Sequence, residues 1–423
     1  METAYYIFNP WWEKKDFDSG IDRPHYLMQL PDFMERRQVE VMVGSRRIGK
    51  TTLLRQFIKK LLREGVPPER IFYLALDNPM LSGTAISDHL RNMRKVFMHD
   101  RETKLFLFLD EIQESPDWEI QLKSLYDTEI LKIFCTGSTS SLIKMQGGRL
   151  TGRQITTVVY PLSFEEFLLF RADRPGMDED YKYERLFEEY LQVGGYPENV
   201  LNPSMLYLGN LLDDILSRDL IRLYPIKKAF ALRDLMKLVA AAVGSRTSFN
   251  KLGKVLGLAV DTVKEYMGYL ETAFLVMPMP KWTMSYSEKV YASKKIYLWD
   301  TGIKTLLTVD GDSGAKMENA VFVELKRRNI DCGYFAASEK ELDFVTGDAR
   351  RPFPIEAKYA SQIEWGDRRL AGLKLFLRRF PQTRKGLVIT RGEQKEVKVN
   401  KTEISFVPAW RFFLFSGRYL QEM

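Results

Sequence analysis

The stretch VMVGSRRIGKTTLL, starting at Val41, restricts the fold more than any other part of the chain. Gly44, Gly49, Lys50 and Thr51 fit the spacing G-x-x-x-x-G-K-[ST]. The apolar run before it, 39–43, reads as a strand, and 51–64 after it reads as a helix. Between a strand and a helix, the glycines let a loop curl so that its backbone N–H groups face phosphate oxygens. The helix N-terminus adds the positive end of its dipole. Lys50 then reaches the β- and γ-phosphates, and Thr51 offers a hydroxyl to Mg2+. The loop Gly44, Ser45, Arg46, Arg47, Ile48, Gly49, Lys50, Thr51 and Thr52 is the expected ATP-binding segment.

A second stretch, LFLFLDEIQE, completes the chemistry. A buried strand ends at Asp110, whose carboxylate can hold Mg2+ through water, and Glu111 follows to polarise the attacking water. The competing reading is a helix-capping Asp-Glu pair after a core strand. In IFCTGSTSS, Thr136 or Ser138 is a candidate sensor of the γ-phosphate, or else an ordinary polar turn residue. Further strands at 71–76, 105–109 and from 133 alternate with helical runs. That is the rhythm of a parallel sheet wrapped by helices.

A chain of 423 residues is too long for one ordinary domain. The sequence places boundaries near 225 and 295. After Pro161 the pattern turns helical. From 248 two short helices surround a Gly-Leu-Ala turn and lead into a strand. Ser248 is expected to cap the first, which carries Leu252, Val255 and Leu256. Asp261 is expected to cap the second, with Val263, Tyr266, Met267 and Leu270 facing inward. This order suits a winged helix, whose outward residues would be Thr262, Lys264, Glu265 and Tyr269. The net charge of +7 mildly favours a polyanionic partner such as DNA. Cys135 and Cys332 read as reduced thiols. His25, His89 and His99 have no metal-ligand spacing, which argues against zinc and a histidine-based triad. No run is long enough for a membrane span, so the expected location is cytoplasmic.

The last third carries a different constellation. In PIEAKY, Glu356 and Lys358 lie two apart on a strand and share a face. KELDFV puts Asp343 on the strand before. In GAKMENAVFVELKRR, Glu318 falls in line with Phe322 and Leu325 on the apolar stripe of a helix, where a carboxylate needs a partner. Together Glu318, Asp343 and Glu356 form a candidate site for Mg2+ or Mn2+, with Lys358 to orient a water or stabilise a phosphorane. Arg368, Arg369, Lys374, Arg378, Arg379, Arg384 and Lys385 follow as candidates for phosphate contact. The alternative is a surface strand with a Glu/Lys pair.

The stretches GSRRIGKTTL, LFLDEIQESPDWE, CTGSTSSL, LTGR, YPLSFEEFL, VGGYPE and ILSRDL resemble archaeal and bacterial AAA+-like ATPases that carry a C-terminal restriction-endonuclease-like domain. The resemblance implies an α/β fold: a P-loop NTPase parallel sheet with a helical lid (1–225), a winged helix (226–295) and a PD-(D/E)xK nuclease-like domain (296–423). It makes Arg153 and Arg218 candidates to contact a γ-phosphate, in cis or from a neighbouring subunit, although Arg218 can equally pair with Asp214. It implies a homo-oligomer, a ring if an arginine acts in trans, and branched DNA as a substrate. A nuclease-like domain of this kind can also be a non-catalytic docking module in a nucleotide-driven switch. The adenine pocket is assigned no residues, though Trp11, Trp12 and Tyr26 are candidates. The roles of Asp77 and Asn78 stay open.

Overall fold

The computed structural model describes residues 2–137, 150–173, 175–176, 179–308 and 312–420. The chain divides into two compact units, Met1–Val159 and Tyr160–Met423. The helical stretch 160–225, expected to cap the ATPase, is thus grouped with the C-terminal unit.

In the first unit the strands are β1 (Val39–Val43), β2 (Ile71–Ala75), β3 (Leu105–Asp110), β4 (Leu131–Thr136) and β5 (Gln154–Val158). They form one sheet in the order β2-β3-β4-β1-β5, and every neighbouring pair is parallel. β1 and β3 are buried at every position, as expected of parallel strands covered on both faces. An ion pair interrupts that core: Glu40 of β1 is buried and pairs with the buried Lys132 of β4 at 3.2 Å. Lys132 also donates to the carbonyls of Arg36 and Gln38, so its ammonium keeps hydrogen-bond partners after leaving water. The helix Lys50–Arg63 follows β1 directly, as the sequence indicated.

The second unit begins with helices. Ser163 and Glu166 form a reciprocal capping box at the start of Phe164–Phe170. The VGGYPE stretch wraps a buried carboxylate that sequence reading did not single out. Gly195 N–H donates to Asp300 at 2.6 Å, and Asp300 also caps the helix Thr301–Leu307 through Gly302 and Ile303. A three-stranded antiparallel sheet in the order β6-β8-β7 follows, from β6 (Arg246–Thr247), β7 (Val276–Met279) and β8 (Lys294–Leu298).

The two helices between β6 and β7 are Phe249–Leu256 and Val260–Thr272. Ser248 caps the first as expected. Val263, Tyr266, Met267 and Leu270 are the buried face of the second. One detail differs. Asp261 does not cap: the N-cap is Ala259, and Asp261 lies in the first turn, paired with Lys264 at 3.1 Å. On the first helix Leu252 is buried and Val255 is 63% exposed.

The remaining strands are β9 (Cys332–Ala337), β10 (Lys340–Thr346), β11 (Phe353–Lys358), β12 (Lys385–Thr390), β13 (Lys395–Val399) and β14 (Thr402–Pro408). They form a mixed sheet, β13-β14-β12-β11-β10-β9. The helix Ala371–Arg379 lies on it through Leu373 and Phe376, against Phe335, Leu342 and Val345. The approach is so close that a Cβ on Gly372 would stand 1.7 Å from the Glu341 carbonyl oxygen, so only glycine fits. Cys135 and Cys332 are both buried free thiols. Among the described residues no helix is long and apolar enough to cross a membrane.

Candidate functional site

The phosphate loop leaves the C-terminal end of β1. Gly44 is required by packing: a Cβ there would lie 2.6 Å from the Val159 carbonyl oxygen. Gly49, just before the helix, has φ 95°, the left-handed region that side chains disfavour. Lys50 opens the helix and is buried. Its Nζ folds back over the loop and donates to the carbonyls of Gly44 and Ser45, both at 3.1 Å. Ile48 is fully buried and anchors the loop, while Arg47 points to solvent. The methyl of Thr52 lies beneath Gly20. Arg23, also buried, reaches the Ile48 carbonyl at 3.4 Å and stacks over Tyr26.

Asp110 ends β3 with its carboxylate held from two strands. Tyr73 of β2 donates to it at 2.8 Å, and the Thr136 hydroxyl of β4 donates to its other oxygen. Thr136 in turn accepts the Glu111 N–H at 3.2 Å. Glu111 sits at φ 51°, a strained turn that re-aims its side chain, and its carboxylate accepts from Gln113 at 2.6 Å. Burial and the neighbouring Asp110 charge push the Tyr73 hydroxyl well above its ordinary pKa, so it stays a donor. Tyr73 belongs to no motif and was not anticipated. Its only trace in the sequence is a hydroxyl inside an otherwise apolar strand. Thr51 and Asp110 present hard oxygen donors of the kind Mg2+ takes, so this unit's residues fit that ion.

Several expectations resolve differently. Trp11 and Trp12 both donate to the Ile71 carbonyl at the start of β2, the sheet edge opposite the phosphate loop. They are not adenine-pocket residues. Tyr26 stands at the loop edge, its hydroxyl near the Val158 carbonyl. Arg153 precedes β5, so it too lies at the opposite edge and cannot serve its own chain's phosphate loop. Asp127 holds it at 3.0 Å. Arg218 is exposed and pairs with Asp214 at 3.1 Å. Asn78 closes a turn by accepting the Met80 N–H, and Asp77 is exposed. Ser138 lies outside the described residues.

In the C-terminal unit, Glu318, Asp343, Glu356 and Lys358 do converge. β10 carries one extra residue opposite β9 between Leu342 and Val345, a bulge that re-aims Asp343. Asp343 N–H donates to Glu356 at 3.2 Å, and Ala357 N–H donates to Asp343 at 3.0 Å. Lys358 reaches Asp343 at 3.0 Å and Glu356 at 2.7 Å. Glu318 accepts from the Tyr297 hydroxyl at 2.7 Å. It fits there because Gly244 leaves room: a Cβ would lie 3.0 Å from its carboxylate.

Three further residues join this group: Lys295, Tyr297 and Glu341. Lys295 of β8 is 1% exposed and contacts Glu318 at 2.9 Å, Glu341 at 2.7 Å and Asp343 at 3.4 Å. Burial disfavours ionising Asp343, but Lys358 and Lys295 outweigh it and hold the carboxyl below its usual range. Burial and then the Asp343 charge push Glu318 up to about 7 and Glu356 up to about 8.

The expected metal position among Glu318, Asp343 and Glu356 does not fit an ion as it stands. Among the described residues no three His, Cys, Asp or Glu side chains form a group that could hold one. Two lysines, Lys295 and Lys358, stand between the carboxylates instead. Of the basic residues that follow, Arg368, Arg378 and Arg384 are exposed. Arg369 is tied to Asp367 at 2.6 Å, Lys374 donates to the Asp367 carbonyl, and Arg379 lies over Phe335.

These shifts predict a pH dependence. Glu318, Glu356 and Asp300, the last pushed by burial up to about 6, bind protons more tightly folded than unfolded. Their stabilisation is full near about pH 4 and is lost as pH rises through about 6 to 8, while Asp343 and both lysines stay charged. The melting temperature of the C-terminal unit should therefore fall between about pH 5.5 and 8.5 in chelator. The fall should be smaller in Glu356→Gln, and a rise would contradict the assignment.

Residues 36–168 match the family described as AAA domain. The match takes in the phosphate loop and all five strands of the first sheet. Two domains of unknown function match the rest, DUF8612 over 184–313 and DUF4143 over 313–412. Their junction at 313 falls where the helix Ser313–Arg327 begins. An uncharacterized protein of Haemophilus influenzae is 27% identical over 343 residues, which span 78% of this chain and 84% of that protein. One of Methanocaldococcus jannaschii is 28% identical over 326 residues, 73% of this chain and 72% of the other. Among solved structures, the replication initiator DnaA bound to AMPPCP and single-stranded DNA aligns with a TM-score of 0.31 at 14% identity, over 63% of this chain and 93% of that one. The S. cerevisiae Hsp104–ADP complex aligns with 0.33 at 16% identity, over 63% of this chain and 40% of that one.

Proposed function

We propose that the AAA domain binds and hydrolyses ATP, and that the C-terminal unit handles DNA under its control. The observation that carries the first half is the loop at Gly44–Lys50 beside a carboxylate, Asp110, fixed by Tyr73 and Thr136. Lys50 exchanges its two carbonyl partners for phosphate oxygens when nucleotide enters. Glu111 orients and polarises the attacking water. Thr51 and Asp110 would hold Mg2+, which would neutralise charge on the phosphates. Arg153, at the start of β5 and tied to Asp127, would meet a γ-phosphate only in a neighbouring subunit of a homo-oligomer. Glu111→Gln should still bind ATP but hydrolyse it about 100-fold more slowly. Wild-type turnover in a steady-state assay would remove Glu111 from this role.

The DNA half rests on the convergence of Glu318, Asp343, Glu356 and Lys358, and on Arg368, Arg378 and Arg384, which are exposed in the same unit. The order from Ala229 to Leu298 is helix, strand, helix, helix, strand, short helix, strand, which suits a winged helix with the helix Tyr286–Tyr291 inserted between its last two strands. Lys264 is paired with Asp261, and Glu265 with Tyr269, so its second helix offers little free positive charge to a groove. The proposed chemistry is phosphodiester hydrolysis, with branched DNA as the first substrate to try.

A second reading is favoured by Lys295: the cluster is a closed, non-cutting module, and ATP drives assembly instead. Incubation with Mg2+ or Mn2+ and branched, duplex or single-stranded DNA separates the two. Cleavage exceeding that of Asp343→Ala supports the nuclease. Binding without cleavage supports the docking module.

A further inference from the structure

Four carboxylates meet in the C-terminal cluster: Glu318, Glu341, Asp343 and Glu356. Two ammonium groups, Lys295 and Lys358, stand among them. If all six of these groups are ionised they carry two negative charges in excess, and Arg246 beside Glu341 offsets one of them. Lys358 belongs to the same strand as Glu356 and is the lysine that the E-x-K spacing announces. Lys295 does not. It comes from β8 of the three-stranded sheet, and its Nζ lies within 3.4 Å of carboxylates from the helix Ser313–Arg327 and from β10. Arg246 of the adjoining β6 adds a second cation from the same sheet, 2.9 Å from Glu341.

We propose that Lys295 is a built-in counter-cation that occupies the metal position of this site, so that a divalent ion and the Lys295 ammonium compete for the same carboxylates. The inference rests on the nuclease-like reading of Glu318, Asp343 and Glu356 and adds to it a resident competitor. Geometry supports the competition. Lys295 is buried and bridges Glu318 to Asp343, two of the three side chains that would share the ion. An ion entering between them meets a positive charge at close range in a medium of low dielectric, where repulsion is strong. Lys295 therefore lowers the site's affinity for metal and keeps it folded without one. The residue also couples the three-stranded sheet to the chemistry, because a shift of β8 withdraws the ammonium.

The test is Mn2+ binding to the nucleotide-free full chain, read by the electron paramagnetic resonance of free Mn2+. Lys295→Met should bind Mn2+ at least about tenfold more tightly than wild type. Adding Asp343→Asn should abolish that gain. Lys295→Met should also melt lower than wild type in chelator and regain stability with Mn2+. Should it not fold, Lys295→Met with Glu341→Gln, which removes one of the surplus charges, serves in its place and should show the same tightening. Affinity no tighter than wild type, with Asp343→Asn alone still weakening Mn2+ binding, overturns the counter-cation and leaves the metal site standing. Mn2+ binding indifferent to both substitutions overturns both. Failure of both variants to fold even with Mn2+ makes Lys295 a structural pillar and overturns the proposal.

Discussion

Lys50→Ala is expected to reduce ATP hydrolysis by at least about 100-fold, the scale seen when a preorganised charge facing the developing transition state is removed. Lys50 is buried at the first position of its helix, so its ammonium has a short, defined arc of travel from the Gly44 and Ser45 carbonyls to a phosphate. No neighbouring lysine on that helix can replace it. Lys59 and Lys60 stand more than two turns further along, with Lys59 paired to Asp16 and Lys60 donating to the Leu27 carbonyl. The substitution should leave the fold intact, because alanine suits a helix start and Gly44 and Gly49 still shape the loop. Unchanged turnover by a folded variant would refute the phosphate-loop assignment.

Asp343→Ala should have the largest effect in the C-terminal unit. It removes the acceptor of the Ala357 N–H and of two lysines. Deleting one partner of a buried ion pair costs about 3–5 kcal/mol. The low end applies, because Lys358 keeps Glu356 and Lys295 keeps Glu318 and Glu341. The substitution also removes the charge that, after burial, does most to raise Glu318 and Glu356. Denaturant unfolding should show lower stability at about pH 6 and a flatter profile up to about pH 8. Lower stability with an unchanged profile would show that Asp343 does not set its neighbours' ionisation. DNA cleavage, if the site cuts, should vanish.

These two residues were legible for different reasons. Lys50 is fixed by local spacing, since two glycines, a lysine and a threonine must fall at set positions within eight residues for the loop to work. Asp343, Glu356 and Glu318 were legible through periodicity, because strand alternation and the helix stripe put each on an inward face. What escaped was non-local. Lys295, in KKIYLWD, reads as a surface lysine at the start of a strand. Only its sharing of a face with the buried Tyr297 hints otherwise. Tyr73 and Thr136 lie far apart in sequence and meet only because β2 and β4 flank β3. Arg153 illustrates the converse. Its motif is local, but which edge of the sheet it occupies follows from strand direction, and that places it away from its own phosphate loop. Asp261 was misplaced by two residues, because Ala259, with no capping side chain, begins that helix.

If the triphosphate site of one unit drives a phosphodiester-binding site in the other, the steady-state ATP hydrolysis of the full chain at low salt responds to branched DNA. Hydrolysis should be faster with DNA, an acceleration that fades as salt rises and is lost when Arg378 and Arg379 are changed to glutamate. Identical rates with and without DNA, in a protein whose hydrolysis still depends on Lys50, would contradict that coupling.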